Sequence, residues 1–289
     1  MTVVTPGINW IPAVSGTTTP LFGITWSGNL FVAVGASGTI LTSPDGVTWT
    51  PRTSGTSAQL NAIIWTGTQL VAVGAPPYFG ASSQTLTSPD GVTWTSRSSR
   101  TTLALNALTW TGTKIVAVGD AEITLTSPDG ITWTPVGTLV YGNTFSCIAW
   151  SGTIYVACLG ISTSPDAITW TRTTSQPPHG VIWAGTRFVL VSDSGVLYVL
   201  TADGGTANYP YSGTGAVLRA VAWSGSQFAA VGDNGTVVTA PDSATYLTTG
   251  GTPWTVRNSG STSTLRAVAW SGANFVAVGD AGTILITSP

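Results

Sequence analysis

One position of the sequence recurs seven times, each time four residues before a tryptophan, and it carries mostly polar side chains. The residues at this position, here called the mouth ring, are Phe22, Asn61, Asn106, Ser146, His179, Arg219 and Arg266. Fourteen residues further along the chain stand Ala36, Ala75, Asp120, Gly160, Asp193, Asp233 and Asp280. Aspartate follows both arginines, the histidine and Asn106, whereas small residues follow Phe22 and Ser146. Positions that vary together indicate contact, so the sequence predicts ion pairs between Arg219 and Asp233 and between the corresponding residues of the last repeat.

The tryptophans mark an internal repeat that must position these side chains. They are Trp26, Trp65, Trp110, Trp150, Trp183, Trp223 and Trp270, with spacings of 39, 45, 40, 33, 40 and 47 residues. This is the period of a four-stranded propeller blade. Within each repeat, strong β-formers alternate with Gly-bearing turns, which is typical of consecutive hairpins. The sequence therefore predicts an all-β, seven-bladed β-propeller of four-stranded antiparallel blades.

The two ends of the chain complement each other. The last repeat stops at TSP (residues 287–289), where other repeats continue into a fourth strand, and residues 7–12 (GINWIP) match residues 46–51 (GVTWTP). We therefore expect the N-terminal segment to complete the last blade and close the ring. The predicted domain is one propeller over residues 1–289, with the outer strand of the last blade in residues 1–20. The predicted blades are 21–59, 60–104, 105–142, 143–178, 179–217, 218–264 and 265–289.

Proline and small residues predict the order of strands in a blade. Pro12, Pro51 and Pro135 each follow a fourth-strand tryptophan by two residues, which places that strand at the outer edge because proline cannot donate to a ladder. Small residues in the first strand then line the crowded centre: Gly23, Ala62, Ala107, Cys147, Gly180, Ala220 and Ala267. Two buried free thiols are favoured at Cys147 and Cys158 over a bridge between them.

The predicted blades have two unlike faces. The uniform face holds the turns between first and second strands and between third and fourth strands, as in residues 27–29 and 44–48, which barely change between repeats. The variable face holds the second-to-third loops and the crossings between blades, as in residues 36–39 and 53–59. There blade 2 inserts residues 75–80 (APPYFG), which expose Tyr78 and Phe79 on a proline-stiffened tip. Residues 247–253 are an insertion on the uniform face.

The variable face therefore holds the candidate binding residues. Aromatic side chains lie in or near three crossings, in residues 177–179 (PPH), 141–143 (YGN) and 209–211 (YPY). Aromatic rings on stiff loops suit sugar stacking or protein anchoring, and ordinary loop packing is the alternative. The mouth ring and its aspartates are either a hydrogen-bonded rim that holds the loops or a polar pocket that selects a ligand. Exposed ion pairs contribute only about 0–1 kcal/mol to stability.

Composition excludes several classes of protein. Charged residues make up 7% of the chain and the net charge is −2, which argues against a nucleic-acid partner. No apolar run approaches the roughly 18 residues of a membrane-spanning helix. The N-terminus has neither a basic region nor a long apolar stretch, so no signal peptide is visible. The 13 tryptophans stand at repeat spacing, and we expect them to pack between blades.

The strings at residues 265–285 (LRAVAWSGANFVAVGDAGTIL) and 42–49 (TSPDGVTW) resemble Asp-box propeller repeats. The resemblance is to photosystem II assembly factors and related bacterial and phage repeat proteins, and it covers essentially the whole chain. Asp45-Gly46, Asp90-Gly91 and Asp129-Gly130 are adjacent, whereas the usual box has one residue between them. The box is degenerate at Asp203 and Asp242. The resemblance implies that these boxes are structural turns away from the ligand face.

Catalytic chemistry is poorly represented. The resemblance raises the possibility of a sialidase-like site, which would need an arginine cluster, a tyrosine with an acidic partner and a separate acid. A retaining glycosidase needs two neighbouring carboxylates. Glu122, the only glutamate, aligns with a turn position, and His179, the only histidine, has no partner for a metal. We expect no catalytic site, no metal and no cofactor.

The predicted function is a non-enzymatic binding subunit. The favoured form is a phage virion or tail propeller that recognises a host surface glycan or protein through its variable face, located on a virion or an extracellular surface. Other virion proteins would then be further partners. An intracellular protein-assembly scaffold, implied by the resemblance to photosystem II assembly factors, is the alternative. A glycan hydrolase is a minor one.

Overall fold

A computed structural model describes residues 9–174, 178–242 and 254–288 of the chain. These residues form seven antiparallel sheets of four strands each, arranged around a common centre. The seven-bladed propeller predicted from the repeat is confirmed. Within those ranges, no helix has the length and hydropathy of a segment that crosses a membrane.

The first four blades run in chain order from the centre outward. Blade 1 contains β2 (Leu21–Trp26), β3 (Phe31–Gly35), β4 (Ile40–Ser43) and β5 (Thr50–Arg52). Blade 2 contains β6 (Leu60–Trp65), β7 (Leu70–Gly74), β8 (Gln84–Ser88) and β9 (Thr95–Ser98). Blade 3 contains β10 (Leu105–Trp110), β11 (Ile115–Gly119), β12 (Thr124–Ser127) and β13 (Thr134–Val136). Blade 4 contains β14 (Ile148–Trp150), β15 (Tyr155–Cys158), β16 (Ile161–Ser164) and β17 (Thr171–Arg172).

The remaining blades repeat this order, except that the last takes its outer strand from the N-terminus. Blade 5 contains β18 (Gly180–Trp183), β19 (Phe188–Val191), β20 (Leu197–Leu200) and β21 (Thr206–Asn208). Blade 6 contains β22 (Leu218–Trp223), β23 (Gln227–Gly232), β24 (Val237–Pro241) and β25 (Thr255–Arg257). Blade 7 contains β26 (Leu265–Trp270), β27 (Phe275–Gly279), β28 (Ile284–Thr287) and β1 (Trp10–Ala13). Single 3₁₀ turns span Ala36–Gly38, Asp193–Gly195, Asp233–Gly235 and Asp280–Gly282.

The ring closes as predicted, by pairing of β1 with β28. Trp10 lies opposite Thr287, and Ala13 lies opposite Ile284. The Trp10 ring is buried and stacks on Phe275, with 6.5 Å between ring centroids. Closure therefore joins the two chain ends through backbone hydrogen bonds and an aromatic contact. Residues 7 and 8 of the predicted match lie outside the described residues.

Apolar side chains from neighbouring blades form the core. The cluster between blades 7 and 1, for example, joins Phe31 and Trp49 of blade 1 to Val276 and Ile286 of blade 7. All 13 tryptophans belong to such clusters, either as fully buried members or packed against them. Their predicted packing between blades is confirmed, so their number indicates core formation rather than a ligand site.

Side-chain hydrogen bonds close the turns of the uniform face. In blade 1 the Asp45 carboxylate accepts the backbone N–H groups of Val47 and Thr48 at 2.9 and 2.8 Å, and Ser43 donates its hydroxyl at 2.9 Å. Trp49 Nε1 donates to the Gly46 carbonyl at 2.9 Å. The N–H groups of Thr48 and Val47 lower the pKa of Asp45 below its usual 3.8.

Blades 2, 3 and 4 use the same carboxylate arrangement, centred on Asp90, Asp129 and Asp166. At their other turn, five blades use a Ser or Thr hydroxyl that donates to the carbonyl three residues later: Ser27, Thr66, Thr111, Ser151 and Ser271. Polar groups in these turns of the uniform face are therefore used in hydrogen bonds within the turns themselves.

Cys147 and Cys158 form a disulfide, so the expectation of two free thiols was wrong. The two residues lie opposite each other at the open end of the first hairpin of blade 4, with 5.0 Å between their Cα atoms. Both are buried. The short inner strand of this blade brings them face to face where longer strands bulge in other blades.

Candidate functional site

Five of the seven mouth-ring residues are positioned by β-bulges at the start of the inner strands. In blade 2, Leu60 pairs with Gly74 and Ala62 pairs with Val73, which leaves Asn61 as the extra residue. The same register shift occurs in blades 1, 3, 6 and 7. A bulge re-aims the side chain of its extra residue, here toward the centre.

A glycine at the end of the second strand makes each bulge possible. A Cβ atom at Gly74 would collide with the carbonyl oxygen of Gln59, the residue that enters the inner strand. Glycine occupies this position in all five bulged blades, whereas blade 4 has Leu159 and blade 5 has Ser192, and no bulge occurs there. The glycine that ends the second strand therefore allows the bulge that turns the mouth-ring side chain toward the centre in these five blades.

The seven mouth-ring residues come together around one central cavity of about 200 Å³. The small inner-strand residues predicted to line the centre also border this cavity: Gly23, Ala62, Ala107, Cys147, Gly180, Ala220 and Ala267. The predicted aspartates stand behind the ring and do not border the cavity themselves. The cavity is narrow because seven inner strands converge on it, and their small side chains allow the strands to approach each other closely.

Both predicted arginine–aspartate pairs are confirmed. Arg219 binds Asp233 through Nε and through Nη2, the second contact being 3.0 Å. Arg266 binds Asp280 in the same bidentate manner, at 2.5 and 3.0 Å. Hydrogen bonds from Arg219 lower the pKa of Asp233, and partial burial opposes this shift. Both arginine charges are therefore largely neutralised within their own blades.

The rest of the mouth ring is bonded as well. His179 Nε2 lies 2.8 Å from Asp193 Oδ1, and Asn106 Nδ2 donates to Asp120 at 3.0 Å. Asn61 Nδ2 donates to the Asn106 side chain at 3.1 Å, which links blade 2 to blade 3. Between blades 7 and 1, the Arg266 guanidinium lies 5.2 Å from the ring centre of Phe22. The Asn61–Asn106 and Arg266–Phe22 contacts therefore link neighbouring blades at the mouth, whereas the other two bonds lie within one blade.

Aromatic side chains on the variable face are exposed and lie outside the cavity. Tyr78 is 73% exposed, Phe79 is fully exposed and Tyr141 is 77% exposed. Tyr209 and Tyr211 are exposed to a lesser degree. The structure therefore separates a bonded central ring from exposed outer aromatic rings, of which Tyr209 packs edge-on against Tyr198 with 5.4 Å between ring centroids. Residue 177 and the insertion at residues 247–253 lie outside the described residues.

Sequence reasoning missed Arg100 and treated Glu122 only as a variant of a turn position; both are charged residues on the variable face. Both have left-handed backbone conformations, with φ of 59° and 57°. Glu122 accepts a hydrogen bond from Asn143 and lies 3.6 Å from Arg172, so it ties the crossing between blades 3 and 4 to the outer strand of blade 4. Glycine at equivalent positions of other repeats was the available signal.

Within the described ranges, no group of three or more His, Cys, Asp or Glu side chains lies close enough together to hold a metal ion. Cys147 and Cys158 are joined to each other, and His179 is bonded to Asp193. The arrangement offers hydrogen bonds, paired charges and exposed rings.

Together these features define a seven-bladed β-propeller with one regular and one elaborated face. No protein-family model and no curated protein sequence matches the chain. Solved structures do resemble it. YCF48 from Cyanidioschyzon merolae aligns over 97% of this chain and 98% of its own, with a TM-score of 0.75 and 19% identity.

Two further structures extend this comparison. YCF48 bound to a D1 peptide aligns over 99% of this chain and 100% of its own, with a TM-score of 0.75 and 18% identity. The C-terminal WD40 domain of Sif2 covers 96% of this chain and 99% of its own, with a TM-score of 0.65 and 11% identity. At such identities the likeness establishes the fold. The expected relationship to phage repeat proteins stays a prediction.

Proposed function

We propose that this chain is a non-enzymatic, protein-binding propeller that holds a segment of a partner protein on its variable face. The observation that carries the proposal is the exposure of Tyr78, Phe79 and Tyr141 on that face. Large rings on short, stiff loops supply contact area at low entropic cost, and tyrosine is enriched among residues that dominate binding energy.

A structurally similar protein with a bound peptide supports this choice of ligand class. YCF48 has been solved with a D1 peptide, and this chain shares its fold over 99% of its length. For the present chain the same architecture favours a protein-assembly scaffold over the virion component that the sequence first suggested. The partner itself is to be found by experiment.

The bonding of the mouth ring favours a structural role for that ring. Each of its four aspartates is engaged by Arg219, Arg266, His179 or Asn106. A general acid or a nucleophile would have to leave such a bond before it could react. We therefore assign the ring to loop positioning and the outer aromatic rings to partner contact.

Recognition of a surface glycan by a virion propeller is the second candidate. Exposed aromatic rings such as Phe79 also stack on sugar faces, which is the observation that favours it. A glycan ligand would bind the aromatic rings with little dependence on salt. A protein ligand that uses charged groups would weaken as salt rises.

Binding of the labelled protein to a displayed library of random dodecapeptides and to a glycan array tests both candidates. We expect saturable peptide binding that the Tyr78→Ser/Phe79→Ser variant loses. The control variant is Val47→Ser/Val92→Ser, which removes two exposed apolar side chains from the uniform face. Saturable glycan binding without peptide binding would replace the proposal by the second candidate. Binding lost only in the control would reject the variable face as the site.

A further inference from the structure

Arg100 occupies a backbone position where other repeats have glycine. It lies in the crossing after blade 2, in the sequence Ser99-Arg100-Thr101. The equivalent crossings contain Gly16, Gly55, Gly213 and Gly260, each preceded by serine and followed by serine or threonine. Their φ values are 74°, 74°, 81° and 66°, and that of Arg100 is 59°. A long side chain is thus held in a conformation that favours glycine.

The turn itself is unchanged by this replacement. Ser99 Oγ donates to the Thr101 carbonyl at 3.1 Å, as Ser54 Oγ does to the Thr56 carbonyl at 3.2 Å. A Cβ atom at Gly55 would meet no atom within 4 Å, so the position is open to solvent. Only the backbone conformation opposes a side chain there. Backbone strain that no contact within the fold compensates is found most often at functional sites.

Arg100 also differs from every other basic residue of the chain. Four basic side chains pair with carboxylates: Arg172, Arg187, Arg219 and Arg266. Arg52, Arg97 and Arg257 donate to threonine hydroxyls, and Lys114 lies over the Tyr155 ring. Arg100 is exposed and has no hydrogen bond or ion pair with any described residue. Its charge is available to a partner.

Arg100 borders a groove of about 500 Å³. Leu103, Leu139, Tyr141 and Ser82, the last in the loop between β7 and β8, also line this groove. Leu139 is 43% exposed and Tyr141 is 77% exposed. The groove therefore combines a single unpaired positive charge with an apolar and aromatic wall.

A second residue with a left-handed backbone, Glu122, supports the part of the groove that Leu139 and Tyr141 line. Glu122 stands where Gly38, Gly195, Gly235 and Gly282 stand in other blades. A Cβ atom at Gly38 would collide with the Thr56 carbonyl, whereas the crossing after blade 3 follows another path and Val140 N–H donates to the Ala121 carbonyl at 2.8 Å. Glu122 then binds Asn143. The segment that presents Leu139 and Tyr141 is thereby anchored.

We propose that this groove binds an acidic segment of a partner protein. Arg100 receives an aspartate or glutamate carboxylate of that segment, and Tyr141 and Leu139 pack against a neighbouring apolar side chain. Charge complementarity decides the occupant, because an unpaired guanidinium beside an aromatic wall favours a carboxylate next to an apolar group. The inference rests on the proposed protein-binding function and specifies where and what it binds.

Selection from the random dodecapeptide library, followed by measurement of the enriched peptides on the intact chain, tests the inference. We expect enrichment of peptides with Asp or Glu beside an aromatic or branched aliphatic residue. Arg100→Gln and Tyr141→Ser should each weaken binding about tenfold. Changing the peptide carboxylate to its amide should weaken binding to a similar extent. It should have little further effect on the Arg100→Gln variant, because the pair is already broken.

Two controls separate binding from folding. Arg97→Gln removes an arginine three residues away that is bonded to Thr87, and it should leave affinity within twofold. Arg100→Gly should raise the melting temperature, because the strained conformation is relieved, while it weakens binding as Arg100→Gln does. A gain in stability together with a loss of affinity is not expected of a structural residue.

Other outcomes overturn the inference in distinguishable ways. Peptides that bind through Tyr78 and Phe79 with no response to Arg100→Gln would reject the groove and retain the protein-binding function. Enriched peptides without a carboxylate would have the same meaning. A library that yields no binding peptide, or a protein that binds only glycans, would reject both the groove and the proposed function.

Discussion

The two faces of the propeller use their polar groups differently. On the uniform face, the Asp45, Asp90, Asp129 and Asp166 carboxylates each accept two backbone N–H groups within their own turn. On the variable face, Arg100 has no such partner among the described residues, and aromatic rings project into solvent. The same repeat thus builds closed turns at one end and open contact groups at the other.

This difference teaches how a repeat acquires a site. The mouth ring is polar yet satisfied, since its charges meet within blades or between neighbours. The outer groove is formed where two repeats depart from the common pattern, at Arg100 and Glu122, each in a position where four other repeats have glycine. A candidate site differs from a polar rim in two ways: its residues depart from the repeat pattern, and its charged groups lack a partner within the fold.

Opening the ring would disrupt both faces together and should have the largest effect. Trp10→Ala removes a buried ring that stacks on Phe275 in the closing blade. We expect a loss of about 3–5 kcal/mol in the free energy of unfolding, from lost burial and the cavity left behind. Chemical denaturation measures it. The exposed neighbour Ile11→Thr is the control, and equal stability of the two variants would contradict closure by this strand.

Blade 4 has no bulge at the start of its inner strand and carries the disulfide there instead. Removal of the disulfide tests how much this bridge stabilises the fold. Cys147 and Cys158 lie 11 positions apart in the sequence. Loop closure of this size is worth about 2–3 kcal/mol. We expect Cys147→Ala/Cys158→Ala to lower unfolding free energy by that amount, measured against the oxidised wild type. A wild-type protein whose stability does not respond to reductant would show that the bridge does not form.

Removal of one carboxylate from the uniform face should cost less and leave binding intact. Asp129→Ala leaves the N–H groups of Ile131 and Thr132 without their acceptor. By analogy with the loss of a helix cap, we expect a destabilisation of about 1–2 kcal/mol. The same variant, tested against a library-selected peptide, should bind as the wild type does. Weakened binding without destabilisation would break the comparison between the faces.

The same turns predict the response to acid. Backbone N–H groups lower the pKa of Asp45, Asp90 and Asp166 below the usual 3.8. A carboxyl whose pKa is lower in the folded state stabilises the fold above pH 3.8, and this contribution is lost as pH falls through the folded-state pKa. Melting temperature should therefore decline below about pH 4. The decline should be smaller in Asp45→Asn/Asp90→Asn, and an identical profile would contradict the assignment.

The smallest effect on stability is expected on the variable face. Tyr78→Ser/Phe79→Ser changes side chains that are 73% and fully exposed. Unfolding free energy should stay within about 0.5 kcal/mol of the wild type, as is usual for exposed residues. Affinity for a selected peptide should fall at least tenfold. A variant that unfolds more readily but binds normally would show that these rings stabilise the fold and do not contact the peptide.

Sequence alone predicted the parts of the molecule that repeat. Seven tryptophans at regular spacing predicted the blades, and the match of residues 7–12 to 46–51 predicted closure. Joint variation of Arg219 with Asp233 predicted a contact that the structure confirms. Repetition acts here as an internal alignment, so contacts that vary between repeats become visible.

Features set by backbone conformation were harder to predict. The bulge behind the mouth ring depends on close approach at Gly74, which composition does not reveal. The disulfide between Cys147 and Cys158 was weighed and rejected in favour of free thiols, because the shortened inner strand of blade 4 was not apparent. Arg100 was missed because its left-handed conformation follows from comparison with Gly55 and Gly260 in crossings of unequal length.

Hydrogen exchange of the intact chain, with and without a library-selected peptide, tests the central claim most directly. We predict slower exchange in residues 75–83, 99–104 and 137–144 when peptide is bound, because these segments surround the aromatic tip and the groove. Exchange in residues 43–49 and 88–94, which form turns of the uniform face, should stay unchanged. Protection confined to the uniform face would contradict the assignment of binding to the variable face.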